Sequence, residues 1–388
     1  MHVLIIPSWY PEHSEDVGGG FFREQALALQ THGCKVGVIY PQLRPLRNWR
    51  TIFSGYYGLS QEIDEGMPTY RYHGMNWFPR MQSGFVFLWK VYGMLAYKQY
   101  VKDYGHPDII HVHSTLYAGC LALDIYDAYK IPYIITEHSS AYALKLINKA
   151  QMEASKKPVI NATFRIAVSA AFANLLDGLY NEKWHYIPNI VSHKFTNFDV
   201  DFSGEKENFV FINVAVHKKN KAIDNLLYAF ARAFVKYPRV ILQLVGDGPE
   251  RVSLQQTACE LGVSDQVFFL GLLKRDEVLE KVATATSFVF SSRYETFGVA
   301  VIEALALGKP VIATRCGGPE SIIEVGDGVL VDVDDVDALS IAMFNMFQNY
   351  KTYNLQNIRR SAIDRFGEDA VITRLKAIYE EVLFDFGS

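Results

Sequence analysis

The sequence predicts an α/β chain built as two open parallel sheets in tandem, on three observations. Short apolar runs of strand length alternate with amphipathic helical stretches along the whole chain, the pattern of parallel strands covered by helices on both faces. The alternation pauses near residues 189–204 and then restarts. At 388 residues the chain is also longer than one core ordinarily serves, so two domains of somewhat under 200 residues each are expected.

The elements follow in order. Val3–Ile6 is a first buried strand, followed by the glycine loop Gly18–Gly20 and a helix from about Phe21 to His32 that stops at Gly33. Val36–Tyr40 is a second strand. Residues 42–104 break the rhythm with Trp49, Tyr56, Tyr57, Tyr70, Tyr72, Trp77, Phe78, Phe85, Phe87 and Trp89, and end in a long helix from about Ser83 to Tyr104. This aromatic segment reads equally as a platform for an acceptor and as a covering of the core. Strands resume at Ile109–Val112, Tyr133–Thr136, Arg165–Val168 and His185–Ile187. Residues 189–204 are polar and read as the interdomain linker. The second half offers strands at Phe209–Val214, Val240–Val245, Val267–Leu270, Ser287–Ser291, Val311–Ala313 and Val329–Val331. Helices are expected near Lys221–Tyr237, Pro249–Leu261, Arg275–Ala283, Gly298–Leu307 and Val336–Gln348. A last helix, about Glu368–Leu383, is free to cross back onto the first domain. The expected domains are therefore residues 1–190 and 191–367.

Composition removes several classes of function. A net charge of −4, with +3 in residues 1–195 and −7 in 196–388, gives no footprint for nucleic acid. Cys34, Cys120, Cys259 and Cys316 are scattered and form no CxxC pair, so neither a disulfide framework nor a zinc site is expected. The N-terminal apolar run lacks the basic flank and length of a signal peptide, and no run of 18 apolar residues occurs. The cytoplasm is the expected compartment. Arg44, Arg47 and Arg50 beside Trp49 form a small basic-aromatic patch that would permit weak peripheral contact with a membrane.

The chemistry concentrates in the stretch Ser291–Thr314. Glu295 sits in the loop after a strand, a helix opens at about Phe297-Gly298, and Glu303 lies on its second turn before the stop at Gly308. The amides around Phe297, Gly298 and Val299 form a helix N-terminus suited to a diphosphate. Glu295 is placed to accept hydrogen bonds from sugar hydroxyls, and Glu303 to take both hydroxyls of a ribose. His111 and His113, at a strand end, are expected on opposite faces, one packed and one toward ligand, and a metal shared by this pair lacks a third ligand.

This Glu-x7-Glu block resembles the signature of the retaining family-4 glycosyltransferases, and the resemblance extends over nearly the whole chain. It implies the GT-B fold, two Rossmann-like domains facing across a cleft, with the acceptor on the N-terminal domain and a nucleotide-sugar on the C-terminal one. The implied activity is transfer of a hexose-type sugar from a UDP-, GDP- or ADP-linked donor to a glycan, lipid-linked or other glycoconjugate acceptor, with no separate cofactor and no metal. By resemblance Glu295 contacts the donor sugar and Glu303 the ribose. Gly246 and Gly248 of Val245–Glu250 lie beside the base, and Gly19 and Gly20 approach the diphosphate. His138 of Thr136-Glu-His138 faces the donor sugar, and Asn189 closes the Pro-Asn turn before the linker. Cys316–Glu320 resembles the family's second glycine turn. Lys221 matches a lysine that neutralises the leaving diphosphate. The sequence departs from the family within one stretch, Val214–Ala222: Val216 stands where an arginine is usual, and Ala222 where glycine follows the lysine. His217, Lys218 or Lys219 are then candidates for the missing charge. His113 and Ser114 are placed near the acceptor.

Transfer with retention is expected, the leaving phosphate taking the acceptor's proton, with a covalent adduct on Glu295 or Glu137 as the less favoured route. Other classes fit less well. A dinucleotide site would need a third glycine, but Arg251 and Arg23 stand at the required spacings, and no P-loop occurs. A nucleotide-sugar epimerase of the same fold and a non-catalytic sugar-nucleotide-binding protein are the remaining alternatives.

Overall fold

The computed structural model describes residues 1–11, 20–53, 57–202 and 207–387; Gly18 and Gly19 lie outside the described residues. The chain divides into two compact units, Met1–Asn189 with Val371–Ser388, and Ile190–Ala370.

In the first unit the strands are β1 (His2–Pro7), β2 (Lys35–Arg44), β3 (Gly58–Asp64), β4 (Met67–Met75), β5 (Ile109–His113), β6 (Tyr133–Glu137), β7 (Phe164–Ala167) and β8 (His185–Tyr186). The helices are α1 (Gly20–Thr31), α2 (Gln82–Tyr104), α3 (Cys120–Tyr129), α4 (Lys149–Asn161) and α5 (Ala170–Tyr180). The sheet order is β3-β4-β2-β1-β5-β6-β7-β8. β1 and β5 form the centre, and their residues are buried on both faces, which is why they read as unbroken apolar runs.

The departure from expectation is at one edge. β3 and β4 form an antiparallel hairpin with Asp64 opposite Met67. The two-residue turn, Glu65 and Gly66, has positive φ at both positions (49° and 86°), the primed turn that fits strand twist. Glu-Gly is a weak signal for such a turn, and the polar β3 sequence hid the strand. Much of the aromatic content nearby is packing. Tyr72 and Tyr92 stack at 4.4 Å, and a side chain at Gly37 would overlap Tyr100.

The second unit begins with the short α6 (His193–Thr196) and continues β9 (Phe209–Val214), α7 (Ile223–Phe234), β10 (Val240–Val245), α8 (Arg251–Glu260), β11 (Val267–Gly271), α9 (Arg275–Thr284), β12 (Ser287–Phe290), α10 (Val299–Ala306), β13 (Val311–Thr314), β14 (Gly328–Val331), α11 (Val336–Asn349) and α12 (Leu355–Phe366). The sheet order β11-β10-β9-β12-β13-β14 is parallel at every pairing among the described residues. Phe211, Leu242, Leu244, Val289 and Ile312 of the sheet pack with Phe230 and Phe234 of α7 and Met343 of α11. The last helix, α13 (Glu368–Gly387), carries Leu375 and Tyr379 into burial.

The polar stretch after Asn189 does not run as a free linker. Val191 N donates to Phe366 O at 2.7 Å, and Arg359 of α12 donates to the carbonyls of Thr196 and Phe198 at 2.6 and 2.8 Å. Its backbone polar groups are satisfied by α12, an element the apolar periodicity did not reveal.

Both sheets reverse winding direction once, between β1 and β5 and between β9 and β12. In doubly wound sheets ligands bind beyond the carboxyl ends of the strands at that reversal.

Candidate functional site

In the second unit, the loops leaving β9 and β12 are fastened to one another at the reversal. Ser291 Oγ donates to Lys221 O at 2.9 Å, and Arg293 N donates to Asn220 O at 2.7 Å. The result is an ion pair between Lys221 Nζ and Glu295 Oε2. Lys221 also lies 5.6 Å from the centre of the Phe290 ring. A third loop joins through β13: Glu295 N donates to Cys316 O at 2.9 Å, and Gly317 N donates to the Glu320 carboxylate at 2.9 Å. A side chain at Gly318 would overlap Phe297 O, so the second glycine turn lets this loop close on the start of α10.

α10 opens at Gly298, held at φ 107°. Phe297 is buried against Phe366, which leaves its backbone, rather than its ring, to meet a ligand. At the first two positions, Val299 and Ala300, the amides have no carbonyl within the helix to bond, while Val301 N donates to Gly298 O at 2.9 Å. Glu303, one turn on, is 3% exposed and receives Arg275 of α9 on Oε1. Neither carboxylate of the Glu-x7-Glu pair is turned to solvent, their side chains being 20% and 5% exposed.

His217 is fully buried, with no hydrogen-bond partner on either ring nitrogen among the described residues. Burial lowers its pKa, partly opposed by Asp247, so the ring is neutral. Val216 is 47% exposed. His217 therefore does not replace the absent arginine's charge; Lys218 and Lys219 are exposed at the same turn. Gly246 (φ 125°) and Gly248 have a steric origin: side chains there would overlap the carbonyl oxygens of Ala215 and His217. They let the loop after β10 close on the loop after β9.

In the first unit, the ends of β5 and β6 carry a buried histidine cluster. His113 Nδ1 and His138 Nε2 lie 3.1 Å apart, and His111 bonds the Tyr379 hydroxyl and Thr136 Oγ1, both at 2.7 Å. His111 and His113 do not point to opposite faces. Residues two apart on a strand share a face, and the rings stack at 4.3 Å, both fully buried. Phe22 packs on His113 and on His138 at 5.0 and 4.8 Å. Burial holds His111 at about 3 and His113 and His138 well below the ordinary value; all three rings are neutral. Ser114 (φ 67°) has its hydroxyl unpartnered among the described residues, as does His113 Nε2. Strained backbone and unsatisfied buried polar atoms coincide here.

Glu137, between Thr136 and His138, accepts from the amides of Thr115, His138 and Ser139 at 2.7, 2.9 and 2.8 Å. Both carboxylate oxygens are engaged by backbone donors, so Glu137 braces two loops. Gly20 opens α1 with open space around it, and Asn189, largely buried, follows β8.

The structure thus brings Lys221, Glu295, Glu303, His217, Gly246, Gly248, Phe297, Gly298 and Val299 to the carboxyl edge of one sheet, and His113, Ser114 and His138 to that of the other. Gly19 lies outside the described residues. Sequence reasoning missed Arg275, whose contact with Glu303 has no spacing signature. It also missed the bracing role of Glu137, for which the signal was a carboxylate closing an apolar strand. Among the described residues no three His, Cys, Asp or Glu side chains are grouped to hold a metal ion, and all four cysteines are free. Trp49 is 52% exposed beneath the Arg50 guanidinium, whereas Arg44 turns toward Gln42 and His73. No described helix is long and apolar enough to cross a membrane.

Comparison with known proteins follows the same division. Residues 195–361 match the family described as glycosyl transferases group 1, and residues 21–195 match glycosyltransferase family 4. Among curated relatives, N-acetyl-alpha-D-glucosaminyl L-malate synthase of Bacillus anthracis is 32% identical over 45% of this chain and 46% of its own length. A lipopolysaccharide core biosynthesis glycosyltransferase of Rhizobium meliloti, LpsE, is 36% identical over 32% and 35%. The chain thus spans less than half the length of either. Solved structures share the fold across the chain. Sucrose-phosphate synthase of Thermosynechococcus elongatus superposes with TM-score 0.75 at 20% identity, covering 99% of both chains. Anabaena HepE in complex with UDP also gives 0.75, at 18% identity, over 98% of this chain and 100% of its own.

Proposed function

Because the chain belongs to the family-4 glycosyltransferases, we propose that it moves a hexose-type sugar, with retained anomeric configuration, from a nucleotide-sugar to a glycoconjugate acceptor. The observation that carries this reading is the Lys221–Glu295 ion pair at the sheet reversal, beside the open start of α10 and with Glu303 buried on that helix. A pyrophosphate at this point would be met by amide donors and by the Lys221 ammonium. These are preorganised and need little rearrangement as charge develops on the leaving group. Glu295, released from Lys221 as the phosphates take its place, grips the donor sugar, and Glu303 takes the ribose. Within the first unit, we assign to neutral His138 the orienting of a sugar and to His113 and Ser114 contact with the acceptor. Glu137 already accepts three backbone amides, and in this reading the leaving phosphate is the base that receives the acceptor's proton.

The test has two parts. Thermal shifts are read with UDP, GDP and ADP and their sugars. UDP is the first choice because a solved relative of this fold is described in complex with UDP. A ligand at 100 times its dissociation constant is expected to add about 2.7 kcal/mol of stability. With the responding donor, Lys221→Ala and Glu303→Ala are each expected to lower turnover by at least about a hundredfold, and NMR of the product reads the anomer. Near-normal turnover in both variants, or release of a rearranged sugar without any acceptor, would replace this reading.

A further inference from the structure

Glu303 is a buried carboxylate, and a buried carboxylate without a cation is costly. Its partner, Arg275, comes from the first position of α9, 28 residues earlier in the chain. Arg275 is itself held in place. Its guanidinium lies 4.7 Å over the ring of Phe195, which is fully buried on α6. Beside it Lys194 pairs with Asp276 at 2.7 Å, so α6 and the start of α9 are tied at two successive positions. Arg359 fixes the carbonyls that follow Phe195. The order of support runs from α12 to α6, from the Phe195 ring to the Arg275 guanidinium, and from there to the Glu303 carboxylate.

From this we infer that Arg275 is a positioning residue for the nucleotide's ribose. By engaging Oε1 it sets the plane in which the Glu303 carboxylate meets the sugar hydroxyls, and so sets how sharply the site selects a ribonucleotide over its 2′-deoxy counterpart. The inference rests on the proposed donor site. A guanidinium suits the task better than an ammonium, because its plane, seated on the Phe195 ring, presents Nη2 to Oε1 from one direction. The aromatic ring below holds the guanidinium in place without competing for its donors.

The experiment is isothermal titration of the full-length protein with UDP, GDP and ADP, each paired with its 2′-deoxy form. The wild type is expected to prefer one ribonucleotide by about tenfold or more over its deoxy form, the loss expected when a buried hydrogen-bonding group is left unpaired. Glu303→Gln should bring that ratio close to one. Arg275→Met, which keeps a stem over Phe195, should do nearly the same, while Arg275→Lys keeps part of the preference. Combining Arg275→Met with Glu303→Gln should add no further loss.

Should Arg275→Met keep the wild-type ratio while Glu303→Gln loses it, the positioning role is wrong and the donor site stands. A further drop in the double variant would mean that Arg275 touches the ligand directly, which also overturns positioning. If Glu303→Gln itself leaves the ratio unchanged, the assignment of the ribose to Glu303 fails. Thermal melting of each variant confirms that a fold is present when the ratio is read.

Discussion

At the scale of single residues, the second unit departs from its family pattern where its backbone is most constrained. Ala222 follows Lys221 in the left-handed region (φ 47°, ψ 42°), closing the turn at Lys219–Lys221 and opening α7, and it is 1% exposed. The family pattern puts glycine here, and the geometry gives the reason: a Cβ in this region costs about 1–2 kcal/mol, offset in part by the greater freedom glycine has when unfolded. Ala222→Gly is therefore expected to stabilise the protein by about 0.5–1 kcal/mol. The check is the urea midpoint at unchanged slope, and a lower midpoint would contradict it. Val216 departs differently. Being 47% exposed, it is replaced at no packing cost, and the charge it lacks is absent from His217 as well, because that ring is buried and neutral. The identities of Glu295, Glu303 and Lys221 were legible in the sequence because each follows a strand or opens a helix at a fixed spacing. Arg275 was not, because the pair it makes is set by how α9 and α10 lie together.

At the scale of elements, the central strands and most helices were legible because buried parallel strands are continuous apolar runs with glycine or proline at their ends. Those that escaped lack such runs. β3 is a polar edge strand, and α12 (Leu355–Phe366) has few apolar positions and uses Arg359 and Arg365 to bond carbonyls elsewhere. The facing of His111 and His113 was misread from the sequence, although the two-residue period of a strand places both on one side. The ends of β5 and β6 make a prediction of their own. His111, His113 and His138 are kept neutral by burial, whereas in the unfolded chain each takes a proton near pH 6.5. Above about pH 6.5 neither state holds those protons and the contribution is complete. As pH falls below that value the unfolded state gains them first, and stability declines by up to roughly 1.4 kcal/mol per histidine per pH unit. Unfolding midpoints from pH 8 to pH 5 should drop most steeply below 6.5. Replacing His111 by Asn should flatten the curve, and an unchanged slope would show that the buried histidines titrate as freely folded as unfolded.

At the scale of the whole molecule, the two units are not consecutive pieces of chain. The first is completed by Val371–Ser388. Within it Tyr379 bonds His111, Lys376 bonds the carbonyl of His32 at 2.9 Å, and Val371, Ile372, Leu375 and Val382 are buried. Removing residues 371–388 should therefore lower the melting temperature of the first unit by about 10 °C or more, as expected for losing several buried apolar side chains, while the second unit melts unchanged. Calorimetry of the truncated chain reads both transitions, and a loss confined to the second would refute this partition.

That discontinuity also has a temporal side. Polypeptides leave the ribosome from the N-terminus, and domains generally fold in that order. Here the phenol that closes the histidine cluster of the earlier unit is Tyr379, made only after the whole of Ile190–Ala370. The unit synthesised first is thus the one finished last. Until residues 371–388 have been made, its sheet must wait with one flank bare, while Ile190–Ala370 already holds everything needed for its own core.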